Sequence, residues 1–155
     1  MKLSAREDLD APIATVFERL ADFDGWARAA MRRGAEVQRT DSLSRPGPGM
    51  AWALEFPYRG KPRSLTLRLD EMAAPERLGF SGRGPNLEGG LSIDLIEMAP
   101  RRTRMTVRLE VRPRTLVARL FIQSLKLGRG KIEARFRARV AQAASEIDGR
   151  ARGAA

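Results

Sequence analysis

The chain contains neither cysteine nor histidine. Without cysteine there is no disulfide framework, no thiol nucleophile and no thiolate metal site, and the redox compartment is left open. Without histidine the usual general base near neutral pH is missing, along with the common zinc and iron ligands and every Ser-His dyad. Catalysis, if any, falls to carboxylate, tyrosine, lysine or arginine. Long apolar runs are missing too. The opening MKLSAREDLD mixes charges with isolated leucines, and lacks the roughly 7 to 15 apolar residues of a secretory signal. No run approaches the ~18 apolar residues of a membrane-spanning helix. These absences lead to the expectation of a soluble, cytoplasmic protein. Neither an internal repeat nor a low-complexity segment is visible.

What is present suits one compact domain. The chain has 155 residues, 43% apolar and 31% charged, within the range of a single hydrophobic core. Its formal charge of +10 favours acidic surroundings such as anionic lipid, nucleic acid or an acidic partner protein.

Lys2 to Asp10 alternates like a half-buried strand, with Leu3, Ala5, Glu7 and Leu9 on one side. Asp10-Ala11-Pro12 then reads as a helix start, with a capping carboxylate and a proline in the first turn. Ile13, Val16, Phe17 and Leu20 fall on one face. A second short helix is expected from Phe23 to Arg33, with Trp26, Ala29 and Ala30 inward and Gly34 ending it. Strand-like runs follow for nearly eighty residues. They are Ala35 to Ser42, Met50 to Tyr58, Arg63 to Glu71, Leu78 with Phe80, Leu91 to Leu95, and Thr103 to Arg112. In the second, Met50, Trp52, Leu54, Phe56 and Tyr58 make one bulky face. Turn residues separate the runs at spacings that suit antiparallel hairpins. Strands in such close series cannot form a parallel sheet, because each parallel step needs a crossover of about a dozen residues. An antiparallel sheet curled around the one long C-terminal helix is the economical solution, an α+β arrangement. GRGPNLEGG lacks the Gly-Lys-Ser/Thr ending of a phosphate loop and reads as a hairpin.

The opening strand, then Asp10-Ala11-Pro12, Val16-Phe17, Leu20, Asp22 and Trp26, resembles the start of the START and polyketide-cyclase superfamily, the SRPBCC or helix-grip proteins. Gly49-Met50-Ala51-Trp52, Pro75-Glu76-Arg77-Leu78 and Thr103-Arg104-Met105 are similar to later landmarks of that family, and the likeness runs from about Lys2 to Ile147. The resemblance implies a helix-grip fold: about seven curved antiparallel strands in the order β-α-α-β6-α, gripping a long C-terminal helix. Residues 1–148 would form one ligand-binding domain and 149–155 a flexible basic tail. Between sheet and helix a cavity would take lipids, polyketides or other hydrophobic molecules. The RPGPG loop at 45–49 would then lie near the cavity mouth. The family's iron-binding branch needs histidines, which this chain lacks; no cofactor or metal is expected.

The segment LVARLFIQSLKLGRGKIEARF, Leu116 to Phe136, has two unlike halves. Leu116, Val117, Leu120, Phe121, Ile122, Leu125 and Leu127 cover about two thirds of the circumference, as in a helix covered on more than one side. Beyond Gly130 the apolar arc narrows to Ile132, Phe136, Val140, Ala143 and Ile147. Arg129 falls where this stripe calls for an apolar residue. Either it faces inward toward a ligand anion or a sheet carboxylate such as Glu7 or Glu97, or Gly128 and Gly130 break the helix and it reaches solvent. Lys131, Arg135 and Arg139 form a basic ridge that suits an anionic membrane surface or simply a solvated face.

Three functions compete. The first is a noncatalytic carrier of a hydrophobic small molecule, lined by Trp52, Phe56, Tyr58, Leu67, Phe80, Met105, Leu125, Ile132 and Phe136, with Arg129 as polar anchor. The second is a metal-free cyclase or dehydratase using Tyr58, Glu97 and Arg129 to move protons or hold an enolate. The third is a basic adaptor for anionic membrane or acidic protein. Nucleic acid is disfavoured, because the aromatics sit at core positions rather than among the basic residues. Monomer and homodimer are both open.

Overall fold

The computed structural model describes residues 1–153, with side chains through Gly149. The chain runs β1 (Lys2–Leu9), α1 (Ile13–Leu20), α2 (Phe23–Arg32), β2 (Glu36–Arg39), β3 (Ala51–Tyr58), β4 (Lys61–Ala73), β5 (Arg77–Arg83), β6 (Leu87–Ala99), β7 (Arg102–Pro113), α3 (Leu116–Lys126) and α4 (Arg129–Gly153). All strands join one seven-stranded sheet in the order β1-β7-β6-β5-β4-β3-β2. Every pair is antiparallel. Because β2 to β7 are sequential neighbours, each link is local in sequence; β1 then pairs with β7 across the whole chain.

Three local expectations are corrected. Asp10 does not cap α1: its backbone N–H donates to Asp148 Oδ1 at 3.2 Å, and extended Pro12 stands at the N-cap. The fixed φ of proline starts the helix without a side-chain acceptor. The C-terminal helix is two helices, so the order ends in α-α rather than α. The N–H groups of Leu127 and Gly128 turn back to the carbonyls of Ser124 and Leu125, and a new helix starts at Arg129. Glycine favours such a break because it gains least from helical φ/ψ. Third, residues 149–153, expected as tail, continue α4 as helix; Ala154 and Ala155 lie outside the described residues.

α2 follows its sequence signals closely. Asp22 accepts from the Gly25 N–H at 3.1 Å as N-cap, and a side chain at Gly25 would collide with that carboxylate. Beyond the C-cap, Gly34 takes φ +98°, the left-handed conformation that stops a helix.

Leu9, Val16, Leu69, Leu78, Met105 and Ile147 have 2% exposure or less and centre the core. It lies where α1, the start of α2 and the C-terminal half of α4 cover the inward face of the sheet. Thr103 is the buried polar residue among them; its hydroxyl donates to the Ala11 carbonyl at 2.8 Å, fastening β7 to the β1–α1 link. The outward face carries ion pairs: Arg102 and Arg104 on Asp8, and Arg77 between Glu71 and Asp94, which also meets Arg108. Among the described residues no helix is long and apolar enough to cross a membrane.

Candidate functional site

Burial changes along the strands in one consistent direction. On β3, Trp52 is buried while Leu54 and Phe56 are half-buried. Leu69 is buried on β4 while Leu65 and Leu67 are half-buried. The same step separates Leu78 from Phe80, Leu95 from Ile93 and Leu91, and Val107 from Leu109 and Val111. These residues all alternate inward, so one end of the concave face is packed solid and the other keeps apolar surface in contact with solvent. The open end is where β3 turns into β4, β5 into β6, and β7 into α3.

Gly82 thins the wall there, whereas a side chain at Gly89 would meet the Glu110 backbone. Gly82 pairs directly with Gly89, in a row that continues to Leu67 on one side and Val111 on the other. A Cβ on Gly82 would sit 3.4 Å from Leu65 Cδ1, so its missing side chain is missing from the inward face. Above this end stand α3 and the first turns of α4. Ala118 and Ile122 are buried beneath α3, while Leu125, Ile132 and Phe136 are half-buried. At the floor Phe23 packs on Trp52 and Phe80, with ring centroids 5.6 and 6.1 Å apart.

The rim joins two separate parts of the chain. The β3–β4 turn places Arg59 at φ 52° and Gly60 at φ 74°, as a two-residue turn between twisted strands requires. The Arg59 guanidinium then lies 5.4 Å from the Tyr58 ring and 5.8 Å from the Phe121 ring of α3. One cation spans the gap between hairpin and helix.

The residues expected to line a site divide into three groups. Phe56, Leu67, Phe80, Leu125, Ile132 and Phe136 are half-buried at the open end. Trp52 and Met105 are buried at 5% and 1% exposure, inside the packed core. Tyr58 is 50% exposed on the rim, because the turn begins at the next residue. Leu54, Leu65, Leu91, Leu109 and Gly82 stand beside the half-buried group, at positions that the sequence signals only through inward parity and the glycines of GRGPNLEGG.

Arg129 does not face inward. Its side chain is 52% exposed, its Nε donates to Glu133 at 2.7 Å and its Nη2 to the Lys2 carbonyl on the edge of β1. The helix break resets the phase on which the inward alternative rested, and neither Glu7 nor Glu97 is its partner. Nor are Tyr58, Glu97 and Arg129 brought together. Tyr58 is paired with Lys61 at the open end, whereas Glu97 is exposed beside Thr103 at the solid end. The RPGPG loop also lies at the solid end, next to Leu69 and buried Met50. Lys131, Arg135 and Arg139 are exposed along α4.

The clearest shifts in ionisation lie off this face. Asp8 is held down to about 2, chiefly by hydrogen bonds from Arg104 and then Arg102. Asp41 is pulled below the usual carboxylate range by Arg39 and by the Ala51 and Leu43 N–H groups. Glu133 is lowered by Arg129. Two open hollows of about 1200 and 720 Å³ are bordered mostly by outward-facing polar residues such as Ser92, Thr106 and Arg108 or Glu55, Ser64 and Thr66, and the larger also reaches Leu3, Phe80, Leu91 and Leu109 of the inward rows and Arg129, Glu133 and Arg137 of α4. Around the first, Glu71, Arg77, Arg108, Arg129 and Glu133 are engaged in ion pairs; around the second, Arg112 pairs with Glu88 while Arg83 and Arg114 have no carboxylate partner among the described residues. Among the described residues no group of three or more acidic side chains could hold a metal ion.

A curved antiparallel sheet wrapped about C-terminal helices, with an apolar inward face, defines the helix-grip class. The chain belongs to the polyketide cyclase / dehydrase and lipid transport family, whose sequence profile matches residues 1–147. Solved structures share the fold. The protein TTHA0849 from Thermus thermophilus superposes with TM-score 0.68 at 13% identity, over 95% of this chain and 97% of that one. The Zhui aromatase/cyclase from Streptomyces sp. R1128 gives 0.65 at 15% identity, over 98% and 93%. A START superfamily protein from Mycobacterium smegmatis gives 0.57 at 14%, over 86% and 95%. No curated protein matches the chain.

Proposed function

We propose that the open end of the concave face is a binding cavity for a hydrophobic small molecule, closed by α3 and the first turns of α4, and that the protein binds or carries this molecule without transforming it. The observation that carries the reading is the burial step repeated on five strands. A core that its own side chains could fill would bury Leu65, Leu91 and Leu109 as fully as Leu69, Leu95 and Met105, since interiors pack to crystal-like density. A ligand with apolar surface would supply the missing contacts, at roughly 25 cal/mol per Å² removed from water. Family membership supports the same class of ligand.

The lining supports a binder over an acid-base enzyme. Inward positions at the open end carry leucine, phenylalanine, isoleucine, valine and glycine, with Arg63 at the rim opposite Phe56. Tyr58, Glu97 and Arg129 do not converge, so these three are not placed to pass a proton within hydrogen-bond reach of one another.

Native mass spectrometry of protein purified without detergent tests the proposal. An apolar molecule is expected to co-purify at one per chain and to leave on organic extraction. Detergent-free protein that neither carries nor takes up such a molecule, or one that converts it at enzymic rates, would overturn the reading.

A further inference from the structure

Three stretches meet at the open end: residues 57–63 of the β3–β4 turn, 83–86 of the β5–β6 turn, and 112–131 through α3 into α4. Together they hold ten basic residues and no acidic one, and the rest of the chain is balanced at nineteen against nineteen. With Glu88, Glu110 and Glu133, which pair with Arg112 and Arg129 there, this end still keeps a surplus of seven positive charges. Elsewhere seven of the sixteen arginines with described side chains pair with carboxylates. Here only Arg112, with Glu88 and Glu110, and Arg129, with Glu133, make such pairs among the described residues. Arg59, Lys61, Arg63, Arg83, Arg114, Arg119, Lys126 and Lys131 make none among the described residues.

The same end exposes apolar side chains. The sequence suggested that α3 is covered on more than one side, but only Ala118 and Ile122 are buried, and Leu116, Val117, Leu120 and Leu127 are 71%, 76%, 58% and 91% exposed. At about 100° per residue, Leu116 and Leu120 centre the outward arc, with Val117 on one flank and Arg119 and Lys126 on the other. Exposed Tyr58 extends the patch onto the neighbouring turn.

We infer that this end docks on an anionic phospholipid bilayer, with α3 lying in the interface. Its leucines and valine would enter the acyl boundary while the surrounding cations meet headgroup phosphates and carboxylates. The charge distribution selects this occupant. A second copy docked face to face would set two strongly cationic ends against each other, and nucleic acid would leave the aliphatic centre in water with one tyrosine to stack on. Docking here would set a ligand exchanged beneath α3 against the lipid phase, but the inference itself needs no ligand.

Sedimentation of the full chain with phosphatidylcholine vesicles, with and without about 30% phosphatidylserine, tests it. Binding to the anionic vesicles is expected to be at least about tenfold tighter, and to weaken steeply between ~0.1 and ~0.5 M salt. Leu116→Ser with Leu120→Ser, and separately Arg119→Glu with Lys126→Glu, should each lose about tenfold or more while circular dichroism and melting stay unchanged. Arg45→Glu with Arg101→Glu makes the same charge change at the opposite end and should lose less than about threefold. Equal binding to both vesicles, equal loss in this reference variant, or a dimer that the leucine variant dissociates in place of vesicle binding would overturn the inference.

Discussion

Leu91 and Leu95 stand on the same strand and the same face, four residues apart, yet Leu95 is 4% exposed and Leu91 is only half-buried. At about 3.3 Å per residue, the packed core gives way to the open end within roughly 13 Å. Truncating each to alanine measures that difference directly. Leu95→Ala is expected to cost about 3 kcal/mol of unfolding free energy, from lost transfer plus the void left behind. Leu91→Ala should cost about 1 kcal/mol, because water already reaches the site. Urea denaturation checks both, and equal costs would mean that the two ends are packed alike.

Gly82 offers a way to fill the open end without touching the core. Its Cβ position is free apart from ordinary contact with Leu65 Cδ1 at 3.4 Å and more distant neighbours, and valine is the better strand residue. Gly82→Val should therefore keep or slightly raise the melting temperature while weakening uptake of an apolar probe about tenfold or more. Fluorescence titration with a fatty-acid probe, alongside the melt, separates the two effects. Unchanged uptake in a folded variant would place the ligand elsewhere.

Acid should loosen the outward face before the core. Asp8 is held at about 2 against an ordinary 3.8 by Arg104 and Arg102. A depressed carboxylate stabilises the fold fully above the unfolded value, and the contribution is lost as pH falls toward the folded one. Melting temperature should thus fall between about pH 4 and pH 2, with Asp41 and Glu133 adding in the same direction. Asp8→Asn should melt lower than wild type at neutral pH and show a shallower acid decline. An unchanged slope would contradict the role given to the pair.

The strands were legible because parity repeats: Leu65, Leu67 and Leu69, or Met105, Val107 and Leu109, announce a face, and short turns force antiparallel pairing. What parity cannot show is how far along a strand the covering helices reach. Trp52 and Met105 therefore passed for lining residues, although α1, α2 and the end of α4 close over them. For Arg129 the sequence leaves two placements open, and the structure has the solvent-facing one. The inward placement needs one helical phase carried through Gly128, where the backbone instead turns back on Leu125. The outward leucines of α3 were read as covered because an apolar arc on a helix ordinarily marks burial; nothing among the described residues covers them.

Contacts between an apolar probe and assigned methyl groups test the central claim most directly. With dodecanoic acid bound, nuclear Overhauser effects are expected to the methyls of Leu65, Leu67, Leu91 and Leu109, and not to those of Leu69, Leu78 and Leu95. A probe that touches only Leu116, Val117 and Leu120 on the outside of α3, or that does not bind, would contradict an internal cavity.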